Sequence, residues 1–140
     1  MSMDAAPTIT EFLLARIAED EAMAEAASPY GFGERWEWAS YVLASDREST
    51  PKQDEFIEEW WPARVLRECA GKRAIVDAHP IVDDVVEVST RIKWGFACAT
   101  CFSYGDIVED HGYCDTLRAL AAVYADHPDY QQEWALDGTR

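Results

Sequence analysis

Four residues within a 17-residue stretch constrain this chain more than any other feature: Cys98-x2-Cys101-x9-His111-x2-Cys114. Zinc takes four tetrahedral nitrogen or sulfur ligands, and two short-spaced pairs joined by a loop let one chain reach all four corners. Gly105 and Gly112 give the backbone freedom where such a knuckle must bend. With every position filled by protein there is no place for a reactive water, so the expected cofactor is a structural Zn2+ held by Cys98, Cys101, His111 and Cys114. The competing reading of the same residues is a set of ordinary thiols with an exposed histidine.

Catalytic uses of such a cluster fail on particular residues. A zinc deaminase needs a His-x-Glu ahead of a Pro-Cys-x-x-Cys, but His79 is followed by Pro80 and Ile81, and Ala97 precedes Cys98. A redox-active Cys pair needs positive surroundings to lower its thiol pKa, yet Asp106, Glu109 and Asp110 follow and no basic residue lies between Lys93 and Arg118. No catalytic residues are assigned. The alternative kept open is a metal-dependent enzyme of unknown reaction, using His79, His127 or a zinc with one ligand replaced by water.

Composition limits the setting. Hydrophobic residues make up 49% of 140, enough for one globular domain over residues 1–140. No apolar run approaches the ~20 residues that span a bilayer, and the N-terminus lacks a signal-peptide layout, so a cytoplasmic location with reduced cysteines is expected. Twenty-seven acidic against twelve basic side chains give a net charge of -15. That field repels phosphate, so neither direct nucleic-acid binding nor a membrane surface is expected. A protein partner is. Either a basic partner face or a protein that normally binds nucleic acid fits the charge, and the oligomeric state is not encoded in any pattern here.

Along the chain, Thr8 and Glu11 have capping-box spacing at the start of a helix running to about Ala27, with Ile9, Leu13, Ile17 and Ala24 on one face and Leu14 beside them. Residues 35–45 alternate Trp36, Trp38 and Val42 with Glu37, Ala39 and Tyr41, which predicts a strand. A short helix is expected over 53–60, and Pro62 should open another that ends at His79-Pro80, with the two meeting at Trp61. In the second, Val65, Leu66, Cys69 and Val76 share an arc, Cys69 acting as a small buried hydrophobe. Alternation from about Val85 to Trp94 predicts a strand leading into the Cys pair. Asp115 and Thr116 are expected to cap a helix with Leu117, Leu120, Ala121 and Tyr124 on its apolar face. After it, Asp126 to Asp129 should turn the chain into a last helix over 128–134, a capped turn rather than a metal site. The sum is an α+β domain of four to five helices, two to three strands and a zinc knuckle.

The run LRALAAVYADHPDYQQEW, Leu117 to Trp134, resembles the C-terminal signature of a family of short proteins of unknown function from actinobacteria and their phages. ITEFLLARIAEDE and PARVLRECAGKRAIVDAH extend the resemblance to about half the chain. It implies an actinobacterial or actinophage origin and a mixed helical domain, and it assigns no activity. Where many family members carry Asp before Pro-Ala-Arg-Val-Leu, this chain has Trp61, which makes the Trp60-Trp61 pair a packing or contact candidate. If phage-encoded, the protein would act in the host cytoplasm as a modulator of a host protein.

Overall fold

The computed structural model describes residues 5–28, 33–43, 48–83, 95–101 and 113–136. Within them lie five helices and a two-stranded antiparallel sheet, the α+β class expected: α1 (Ile9–Ala26), α2 (Arg35–Leu43), α3 (Pro51–Glu59), α4 (Pro62–Ala78), β1 (Ile81–Val82), β2 (Ala97–Cys98) and α5 (Asp115–Ala122), followed by a 3-10 turn at Gln132–Trp134. They form two compact units, residues 17–71 and residues 1–16 with 72–140. The strand expected over 85–94 lies outside the described residues.

In the 17–71 unit the described part of the strand expected at 35–45 is a helix, Arg35–Leu43. The Glu34 carbonyl accepts from the amides of Glu37 and Trp38, which starts α2. The alternation misled because it did not encode a buried face: Trp36 is 66% and Tyr41 54% exposed. Trp38 instead reaches sideways and its indole N–H donates to the Ile57 carbonyl at 3.1 Å, while Arg35 pairs with Glu58 and Glu59. Short apolar windows cannot separate the two periods, and contact with α3 decides the matter.

The next helix starts earlier than expected, at Pro51, through a reciprocal cap. Thr50 Oγ1 accepts the Gln53 amide at 3.2 Å and Gln53 Oε1 accepts the Thr50 amide at 2.8 Å, with Pro51 in the first turn. No residue of α3 is buried. Its caps and its contact with α2 therefore hold it, and Thr50→Ala should cost about 1 kcal/mol, read as a lower urea midpoint with unchanged slope. As expected, the helix stops at Trp60 and α4 opens at Pro62. The Arg64 guanidinium lies 4.3 Å from the Trp60 ring centroid and Arg67 lies 5.4 Å from that of Trp61, so both indoles serve as cation–π platforms. Cys69 is 2% exposed, as a core residue should be.

The other unit is built on an aromatic cluster. Ile9, Phe12 and Leu13 are buried on one arc of α1. The Phe12 ring centroid is 5.0 Å from Trp134, 5.7 Å from His127, 6.1 Å from Tyr130 and 6.3 Å from Tyr124. Arg16, 8% exposed, lies over Phe12 at 5.3 Å and reaches His127 Nδ1 at 2.8 Å and Asp129 at 3.9 Å. Residues 126–129 are thus a turn as expected: the Asp129 amide donates to His127 Nδ1 at 3.0 Å. The same turn explains why the final helix shrinks to three residues, since Tyr130 N–H closes back on the His127 carbonyl. Arg118 then ties α5 to the tail through the carbonyls of Trp134, at 3.1 Å, and Ala135.

Candidate metal centre

Helix α4 ends at Ala78, and His79 follows it because Pro80 cannot continue the helix. The chain then pairs with itself: Ile81 opposes Cys98 and Val82 opposes Ala97. Two further bonds lock the pairing to the helix end, the Ala99 amide to the Pro80 carbonyl at 2.8 Å and the Thr100 hydroxyl to the Ala78 carbonyl. Gly95 lies just ahead of β2 at φ +96°, backbone that side chains larger than hydrogen resist. This return carries Cys98 back to His79 across 19 positions of sequence. Cys101 follows three residues later, its amide donating to Cys98 Sγ at 3.4 Å.

The third cysteine arrives from the far side as the N-cap of α5. Cys114 makes no side-chain capping bond, contrary to the caps expected from Asp115 and Thr116. Asp115 instead accepts from Arg118 at 3.0 Å. The Cys114 sulfur joins the cluster, so its side chain is not available to the amides of α5.

His79 Nδ1 stands 3.3 Å from Cys101 Sγ, 3.5 Å from Cys98 Sγ and 3.7 Å from Cys114 Sγ. One ligand atom from each of the four residues lies within 4.8 Å of every other. An imidazole nitrogen has one lone pair and cannot accept from three thiols at once, so hydrogen bonding does not explain the arrangement. A common central atom does. With sulfur at about 2.3 Å and nitrogen at about 2.0–2.1 Å from a tetrahedral zinc, each sulfur would stand about 3.5 Å from the nitrogen. Without a cation, partial burial and the neighbouring Cys114 and Cys98 sulfurs push the Cys101 thiol up to about 11. A divalent ion reverses that preference by stabilising the thiolates, and its binding releases protons, so acid should weaken it.

Three residues expected from the spacing, Cys98, Cys101 and Cys114, are therefore brought together. The fourth, His111, lies outside the described residues, and the nitrogen that the structure places on the three sulfurs belongs to His79. Local spacing hides that residue. Its signal is indirect: a His-Pro helix stop, a Val/Ile-rich stretch and then a Cys pair make a returning strand that can lay residue 79 beside residue 98.

Fold and site together define a small α+β protein carrying a Cys3His cluster that could hold a metal ion. A family model covers residues 6–136, and the chain belongs to that family, DUF6221, a family of unknown function. No curated protein matches the sequence. No solved structure matches it either. Among the described residues no helix is long and apolar enough to cross a membrane.

Proposed function

We propose that the chain is a small acidic, non-enzymatic protein-interaction module in which a structural zinc ion clamps the C-terminal half. The observation that carries this reading is the convergence of His79 Nδ1 and three cysteine sulfurs at 3.3–3.7 Å. Those ligands come from the end of α4, from β2 and the turn after it, and from the start of α5. One ion held by all four joins three segments whose own pairing is slight, a two-residue strand pair and an eight-residue helix. Filling all four positions with protein leaves the ion no open position for catalysis.

The net charge of -15 supports a partner with a basic face. In the actinobacterial or actinophage setting that the C-terminal signature implies, such a partner would be a host protein, met in the cytoplasm. Elemental analysis of protein purified without chelator should find one zinc per chain. A metal-free protein with full thermal stability would contradict the clamp, and zinc with an oxygen ligand would favour a metal-dependent enzyme instead.

A further inference from the structure

A cavity of about 560 Å³ opens beside the cluster, lined among others by Glu11, Ile81, Phe96, Tyr113, Glu133 and Trp134. Its size falls in the range that accepts a small ligand or a side chain. The walls are placed by the same segments that carry the sulfurs and the imidazole: Ile81 is two residues beyond His79, Phe96 two before Cys98, and Tyr113 adjoins Cys114. Three aromatic residues and two glutamates line one space.

We propose that this cavity is the partner site and receives a lysine or arginine side chain of a basic protein. An amphipathic cation suits such a lining, because its stem packs on Phe96 while its charge meets the exposed Glu11 carboxylate. The Glu11 carboxylate takes part in no ion pair among the described residues and is exposed to receive one. An anion is disfavoured even though the first turn of α1 borders the cavity. Thr8 Oγ1 already accepts the Glu11 amide at 3.1 Å, and the chain's net charge of -15 opposes it. The 41% exposure of Phe96 leaves an apolar surface for the incoming stem to cover. This assignment rests on the interaction-module reading and deepens it by naming the chemistry of the contact.

The test is a titration of zinc-loaded full-length protein, followed by amide resonances, with a blocked hexapeptide carrying one arginine among glycines and serines. Lysine and citrulline counterparts and free butylguanidinium serve as comparisons. Arginine and lysine peptides should shift the amides of residues 6, 8–11, 81, 96, 113 and 131–134 at millimolar concentration, with the citrulline peptide at least about tenfold weaker. Glu11→Gln, an exposed change that leaves the helix cap intact, should weaken the arginine peptide by about tenfold. Phe96→Ala should weaken it as well while leaving zinc content at one. Equal binding of arginine and citrulline peptides, shifts elsewhere, or binding of butylguanidinium without the peptides would overturn the proposal. Zinc assayed in the same sample separates the two readings: one ion per chain with no peptide shifts sinks the cavity assignment alone, whereas no zinc sinks the clamp.

Discussion

Replacing Cys114 by serine is expected to abolish stoichiometric zinc and to destabilise the protein by several kcal/mol. The residue stands at the N-cap position of α5 but gives its sulfur to the cluster, whereas a serine there could cap the helix and could not replace the sulfur. A serine hydroxyl is a poor zinc ligand, so what it gains as a cap, on the order of 1 kcal/mol, is small beside the apparent binding energies of about 10–16 kcal/mol measured for structural zinc in small fingers. The loss should concentrate in residues 79–82, 95–101 and 113–122, seen as collapse of their amide protection from hydrogen exchange. Chelator added to the parent protein should reproduce the effect and add nothing to Cys114→Ser. A Cys98→Ser, Cys114→Ser double variant should be no less stable than either single one, because one lost ion cannot be lost twice. Additive losses, or a Cys114→Ser protein as stable as the parent, would mean that the three sulfurs act as separate packing groups.

Phe12→Ala should be the most damaging change away from the cluster, costing about 3–5 kcal/mol and lowering the melting temperature by on the order of 10 °C. Phe12 is 2% exposed, and its ring is the common neighbour of Tyr124, His127, Tyr130 and Trp134. Removing it takes a partner from each ring and from the Arg16 guanidinium above it. The neighbours cannot simply close the gap, since Arg16 is held by His127 and Trp134 by Tyr130, 5.7 Å away. Met23→Ala on the same helix is the control: at 70% exposure it should shift stability by less than about 0.5 kcal/mol. Equal effects of the two substitutions would refute the placement of the core.

Elements whose signals are local were readable from the sequence. The Thr8 start of α1 with its 9, 13, 17, 24 stripe, the break at Trp60-Trp61-Pro62 and the 117, 121 face of α5 depend on neighbours within a turn, and the buried residues match. Phe12 and Arg16 were hidden for a different reason. A stripe defined by the aliphatic positions passes over Phe12, three residues after Ile9 on the same arc, and a charge is not expected inside until a histidine from residue 127 is seen to meet it. α2 misread as a strand because its alternating tryptophans turn outward to solvent or sideways to Ile57. The site divides likewise. Cys98, Cys101 and Cys114 could be read from spacing, whereas His79 depends on an antiparallel return that pairs Ile81 with Cys98.

Zinc K-edge X-ray absorption on protein purified without chelator tests the central claim most directly. The expected result is one zinc per chain with three sulfurs at about 2.3 Å and one nitrogen at about 2.0–2.1 Å, the nitrogen lost in His79→Ala and retained in His111→Ala. No stoichiometric zinc, an oxygen ligand in place of nitrogen, or a sulfur-nitrogen shell unchanged by His79→Ala would contradict it.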